Sequence, residues 1–321
     1  MELLQLKTMK QQTGYEQVQT NSARAWLLAT RPKTLTGAAV PVMIGAALAY
    51  ADSNGGKFFQ VIPTILCLLF AFVMQIDANL VNDYFDYRDK TDSRTTRLGP
   101  KRACTEGWIT PKAMVSGILT TTILACFIGL PLIIYGGFMM VFVGIACVIF
   151  CFLYTTKFSH IGLGDVLVLM FFGFVPVCLT YYLALPIALS TITLKTFIAS
   201  IGCGLAIDAL LIVNNYRDRD TDRAVGKITL AVRLGTRRTE WLYLATGIMA
   251  VALMAVTLWI NSHSTGMLTA ALLLVYLLLH LVTYRQMVQI RQGKALNGVL
   301  GKTARNILVY GIMSTIAILI S

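Results

Sequence analysis

The stretch FFQVIPTILCLLFAFVMQIDANLVNDYFDYRDKTD, residues 58–92, decides the fold. It starts as a long apolar run, broken only by Gln60, Pro63, Gln75 and Asp77, and ends in a cluster of acids. Such a run is long enough to cross a bilayer core, which takes roughly 17–25 helical residues. Asp77, Asp83, Asp86, Asp89 and Asp92, with Asn79 and Asn82, crowd its end. Carboxylates are costly beside hydrocarbon, so a chain that gathers them there is expected to use them.

Comparable runs recur along the chain. Spans are expected near 32–50, 59–82, 112–134, 137–156, 164–186, 194–216, 240–260, 267–287 and 303–320. The third and fourth meet at Tyr135, Gly136 and Gly137, as a tight hairpin. With 56% hydrophobic and 13% charged residues, against about a quarter charged in soluble domains, the chain is expected to be an all-α integral membrane protein of about nine transmembrane helices. Residues 24–321 form the membrane domain. Residues 1–23 are polar, lack the apolar core and cleavage site of a secretory signal, and are expected to be a cytoplasmic tail.

Charge sets the expected orientation. With the N-terminus cytoplasmic, 25 of the 27 Lys and Arg fall on the cytoplasmic side, and only Lys57 and Lys195 face outward. That satisfies the positive-inside rule. The net charge of +12 therefore reports topology and attraction to anionic lipid. No soluble basic domain exists to bind nucleic acid. The seven cysteines are scattered packing residues, and His160, His263 and His280 make no metal spacing.

Nine of the 15 acids fall in two windows, at residues 77–92 and 208–222. The second reads NNYRDRDTDRAVGKITLAVRLG, residues 214–235. Asn79 precedes Asp83 by four residues, as Asn214 precedes Asp218, which suggests a weak internal repeat. At about 100° per residue, Asn79, Asn82, Asp83, Asp86 and Asp89 share one helix face; Asn215, Asp218 and Asp222 share another, with Asp220 turned away. Carboxylates on one face repel unless a cation lies between them. Oxygen-only donors suit Mg²⁺, Mn²⁺ or Ca²⁺, and Mg²⁺ completes its shell with water and substrate phosphates. Arg97, Lys101 and Arg102 follow the first window, Arg223, Lys227 and Arg233 the second, and Lys157 lies between. These cations suit a diphosphate.

With these motifs, the chain from about Arg31 onward resembles the UbiA superfamily of intramembrane aromatic prenyltransferases, through NDYFD (residues 82–86) and RDRDTD (residues 217–222). RPKTL, RLGPKR, LGDVLVLMFFGFVPVCLTYYL and the second window resemble its 1,4-dihydroxy-2-naphthoate branch. The resemblance implies a bundle with a central cavity under a cap formed by the 2–3 and 6–7 loops. It implies Mg²⁺, with Mn²⁺ as the alternative, held by Asn82, Asp83, Asp86, Asp218 and Asp222. Where the general pattern continues with an acid, this chain has Lys90, which leaves Asp89, Asp92 or neither as a further ligand.

The expected catalytic set is Asp83, Asp86, Asp218 and Asp222, and the expected diphosphate set is Arg97, Lys101, Arg102, Lys157, Arg223 and Lys227. Arg31 or Lys33 would face an acidic aromatic acceptor, and Asn79, Asn215, Tyr181 and Tyr182 would line the cavity. The implied partners are a polyprenyl diphosphate, a small aromatic acid and the lipid bilayer of a bacterial plasma membrane. The implied product is demethylmenaquinol, formed with loss of CO₂ and diphosphate. Other acceptors, 4-hydroxybenzoate or homogentisate, remain the alternative. An ion-coupled transporter fits less well, because the acids sit at span ends among cations and not at the midplane. Asp77 and Asp208 are left to pair with each other, to bind backbone groups, or to carry protons.

Overall fold

The structure, a computed structural model, describes residues 18–89, 97–156, 158, 161–262 and 266–321. Among these residues nine stretches are long and apolar enough to cross a membrane, from Ala23–Asp52 to Leu296–Ile320. The helices are α1 (Ala23–Thr30), α2 (Leu35–Asp52), α3 (Val61–Arg88), α4 (Ala103–Glu106), α5 (Pro111–Gly129), α6 (Leu132–Gly136), α7 (Met139–Thr156), α8 (Gly164–Val168), α9 (Val175–Leu183), α10 (Leu194–Ala224), α11 (Leu230–Ser262), α12 (Met267–Ile290) and α13 (Leu296–Ile320).

The expected spans are all present, and they differ where local chemistry bends them. The first begins nine residues early and breaks at Arg31, whose φ is +50°. Pro32 follows it, and the ring of a proline disfavours the right-handed helical region for the residue before it. A short 3₁₀ turn, Pro32–Thr34, then starts α2. The third span stops at Gly129, ahead of Pro131, and α6 intervenes before Gly137 turns the chain with φ +72°. The fifth span is α8 and α9 joined by a π-helical turn, Leu169–Phe174. The seventh is kinked at Gly235, which sets Leu230–Arg233 off from the span that follows. The ninth starts seven residues early, through a polar turn carrying Asn297 and Lys302 that hydropathy alone does not register.

α10 is the central staff, with α11, α13, α2 and the π turn packed round it. Small residues let backbones approach. A Cβ on Gly173 would lie 2.6 Å from the Ser200 carbonyl oxygen, and one on Gly45 would lie 2.5 Å from that of Val177. We expect Gly45→Ala to push α2 off α9 at a cost of about 1–3 kcal/mol, seen as a lower melting temperature in detergent.

Several polar groups inside the bundle are paired across helices. Asp77 accepts hydrogen bonds from the Thr121 hydroxyl (2.5 Å) and the Thr122 hydroxyl (3.0 Å) and ties α3 to α5. It does not pair with Asp208. Asn306 donates to Thr283 (2.8 Å) and Tyr216 to Glu240 (2.7 Å). Away from the acidic motifs, Asp52 accepts from Lys195 (2.5 Å) and from the Tyr181 hydroxyl (2.7 Å). Tyr181 is thus a buried tie between spans 1 and 5. Neither it nor Tyr182 reaches the cavity, which corrects the expectation for both.

Candidate active site

The last turns of α3 and α10 meet at one end of a cavity of 1930 Å³. Its wall is apolar over most of its length, with Val42, Phe70, Met74, Val148 and Phe172 among the lining residues. α7, which has Thr155 as its one fully buried residue, lies at the edge of the bundle.

From α3, Asn79, Asn82 and Asp86 line the cavity. The Asn79 amide donates to the Thr30 carbonyl (3.0 Å) and the Thr34 hydroxyl (2.9 Å), so it fastens the break at Arg31 to α3. Asn82 accepts from the Thr155 hydroxyl of α7. Asp86 is ion-paired with Arg102.

Asp83 faces elsewhere. It is 1% exposed and absent from the cavity wall, and its two oxygens accept the backbone N–H groups of Ala103 (2.8 Å) and Cys104 (2.9 Å). The expectation that Asp83 ligates metal does not fit this arrangement. Its carboxylate caps α4 and sets the position of the loop carrying Arg97, Lys101 and Arg102. Burial, and the Asp83 carboxylate beside it, push the Cys104 thiol up to about 12. It therefore stays protonated, and no thiolate is offered at neutral pH.

From α10, Asn214, Asn215, Asp218, Thr221 and Asp222 line the same cavity, while Asp220 is exposed, as the helical spacing requires. Arg217 fixes the geometry. Its buried guanidinium donates to Asp218 (2.6 and 2.8 Å), to Asn214 (2.9 Å) and to Asn297 of α13 (2.8 Å). Asn297 in turn donates to the Leu98 carbonyl (2.8 Å). Gly99 lies directly over Arg217, where a Cβ would come within 2.6 Å of its Nη2. The loop after the first motif is therefore clamped onto the second motif. Asp222 is ion-paired with Lys227 at 3.5 Å, and its Oδ2 has no hydrogen-bond partner among the described residues. Asp222 lies within electrostatic reach of both Asp218 and Asp86, so the two motifs face one another.

The expected basic residues divide. Arg97, Lys101, Arg102 and Lys227 line the cavity, as do Arg31 and Lys33. Arg31 lies within electrostatic reach of Arg97, Arg102 and Asp86, and its Nη2 is buried without a partner among the described residues. Arg223 does not line it. Its guanidinium donates outward to the Val232 carbonyl (3.3 Å), which removes it from the diphosphate set. Lys157 and Asp92 lie outside the described residues, as does Lys90. Asp89 is paired with Arg88 at the surface and is not part of the wall.

Sequence reasoning missed Arg217, Asn297, Lys294, Arg305 and Asp165, all but the first of which line the cavity. Arg217 had a signal, being one helical turn from Asn214 and adjacent to Asp218. Asn297 had none, since its partner Leu98 is 199 residues away.

The residues present fit a divalent cation. Asn82, Asp86, Asp218 and Asp222 offer oxygen donors to the cavity, and Asp222 presents one that is buried and unpartnered among the described residues. Among the described residues no three His, Cys, Asp or Glu side chains converge. Mg²⁺ bound by one or two carboxylates, with phosphate and water completing the shell, needs no such trio.

The sequence pattern of the UbiA prenyltransferase family matches residues 38–304. The 1,4-dihydroxy-2-naphthoate octaprenyltransferase of Escherichia coli (strain K12) is 35% identical over 228 residues, 68% of this chain and 70% of that one. Two solved structures share the fold. A UbiA homolog from Aeropyrum pernix K1 has a TM-score of 0.64, 14% identity, and coverage of 87% of this chain and 97% of that one. A UbiA homolog from Archaeoglobus fulgidus, bound to DMAPP and Mg²⁺, has a TM-score of 0.59, 13% identity, and coverage of 90% and 98%.

Proposed function

The chain belongs to the UbiA prenyltransferase family, and we propose that this integral membrane prenyltransferase moves a polyprenyl group from its diphosphate to 1,4-dihydroxy-2-naphthoate. CO₂ and diphosphate leave, and demethylmenaquinol forms. The observation that carries this reading is the meeting of two Asp-bearing helix ends, flanked by Arg and Lys, at the polar end of a long apolar cavity. That cavity suits a polyprenyl tail, and the polar end suits a diphosphate. The acceptor is assigned by likeness to the naphthoate enzymes.

Asn82 and Asp86 from α3, with Asp218 and Asp222 from α10, would hold Mg²⁺. The bound cation would supply neutralisation of the charge that develops on the departing diphosphate. Arg97, Lys101, Arg102 and Lys227 would bind its remaining oxygens, as preorganised charges that need no rearrangement during ionisation. Asp83 acts through α4 and is a positioning residue. Arg31, delivered by the break in the first span, would face the acceptor carboxylate. The apolar wall keeps water from the allylic cation, which would otherwise be quenched. The positive-inside distribution supports a cytoplasmic orientation for this end of the bundle.

Purified protein in lipid vesicles, given Mg²⁺ and a polyprenyl diphosphate, should prenylate and decarboxylate 1,4-dihydroxy-2-naphthoate in preference to 4-hydroxybenzoate or homogentisate. EDTA should abolish turnover. Equal or greater rates with either of the other acids would overturn the naphthoate assignment.

A further inference from the structure

Asp165 stands at the start of α8, just before the π turn. It lines the cavity, is 7% exposed, and neither of its carboxylate oxygens has a hydrogen-bond partner among the described residues. Asp208 of α10 lies opposite, 4% exposed, with its Oδ1 also unpartnered. Tyr154 of α7 lines the cavity beside them, with its hydroxyl 3.8 Å from where a Cβ on Gly164 would lie. It is within electrostatic reach of Asp165, Asp208 and Asp86. Among the described residues no cation is ion-paired to either acid.

The buried carboxylates Asp77, Asp83 and Asp222 each have a donor on at least one oxygen: Asp77 its threonines, Asp83 its amides, Asp222 its lysine. Asp165 has no donor from another described residue and lines the substrate space. Two carboxylates facing each other at low dielectric do not both ionise, and such a pair keeps one proton between them. A pair carrying one proton and one negative charge has room for a second proton. Asp208 precedes Asp218 by ten residues on α10, or about 15 Å along the helix. An allylic carbon and an aromatic ring fit between the clamp and the acid pair.

We propose that Asp165, paired with Asp208, is the proton acceptor for the ring hydroxyl of the aromatic acceptor. The inference rests on the acceptor being a hydroxylated aromatic acid. The O–H bond breaks, the proton goes to the Asp165 carboxylate, and the electron pair enters the ring. A ring carbon forms its bond to the allylic carbon, whose C–O pair leaves with the diphosphate. The bond to the carboxylate breaks, its pair restores the aromatic ring, and CO₂ departs. The proton then returns from Asp165 to the ring oxygen, which gives the quinol and regenerates the pair.

The test uses the full-length protein in vesicles, with wild type, Asp165→Asn and Asp165→Glu. Acceptors are a series of 1,4-dihydroxy-2-naphthoates whose ring substituents make the hydroxyl progressively more acidic. Mg²⁺-dependent binding of a thiolo analogue of geranyl diphosphate serves as the second readout. Asp165→Asn should lower kcat by about 10²–10⁴-fold and leave affinity for the analogue unchanged. Its deficit relative to wild type should shrink as the acceptor becomes more acidic, and Asp165→Glu should recover part of the rate. An unchanged kcat, a deficit constant across the series, or a matching loss of analogue binding would overturn the proposal. Wild type that turns over no hydroxynaphthoate would overturn the functional reading, a result separate from any property of Asp165.

Discussion

Asp218→Ala is expected to lower kcat/KM by about 10³-fold, or roughly 4 kcal/mol of transition-state stabilisation. Asp218 faces the cavity one turn from Asp222 on α10, across from Asp86 on α3. Removing one carboxylate of a divalent-cation clamp removes charge where the diphosphate develops its own, and single preorganised contacts of this kind are worth about 10²–10³-fold. Loss of a metal ligand adds to that. Asp86→Ala should be of similar size. Asp220→Ala, at an exposed side chain ion-paired with the adjacent Arg219, should keep near-normal rates. Steady-state kinetics on the three variants in vesicles checks this. A small effect at Asp218 with a large one at Asp220 would show that the wrong face of α10 has been assigned to the site.

The second large effect is on stability. Arg217→Ala should destabilise the protein by about 3–5 kcal/mol, because it strips the partner from one charged group and several polar ones in a buried place. Its guanidinium satisfies Asp218, Asn214 and Asn297, and Asn297 holds the Leu98 carbonyl. Without it the loop at 97–102 should detach from α10, so Arg102 and Lys101 no longer face the diphosphate. Arg217→Lys should rescue little, since an ammonium cannot reproduce the planar fork that reaches three residues at once. The measurements are melting temperature in detergent and protease sensitivity of residues 97–102. If Arg217→Lys behaves as wild type in both, the clamp is charge alone and the fork geometry is irrelevant.

The spans were legible because each is a long apolar run, and span positions follow from hydropathy. The bends were less so. Arg31 lines the cavity, in keeping with the expectation that it faces the acceptor, but the break in the first span that carries it there, at a φ of +50°, had no signal in hydropathy. The acidic pairs were legible through helical spacing, and Asp218, Asp222 and Asp220 fall where that spacing puts them. Asp83 was not. It lies on the broad face shared by Asn79 and Asp86, and what turns it from ligand to cap is a pair of backbone N–H groups about twenty residues later. Tyr181 was misread for a similar reason: its hydroxyl meets Asp52, 129 residues away. Composition offered no sign of either partner. Asp165 sat inside a motif already noticed, LGDVLV, but a single acid at a span start carries no pattern until Asp208 is seen opposite.

The claim on which the rest depends is that the ends of α3 and α10 form one cation-dependent diphosphate clamp. Equilibrium binding of a thiolo analogue of geranyl diphosphate to the purified protein, with and without Mg²⁺, tests it directly. Tight binding that requires Mg²⁺ and weakens at least about 10²-fold, roughly 2.7 kcal/mol, in both Asp86→Ala and Asp218→Ala is the expected result. Binding of equal strength in EDTA, or insensitive to either substitution, would contradict it.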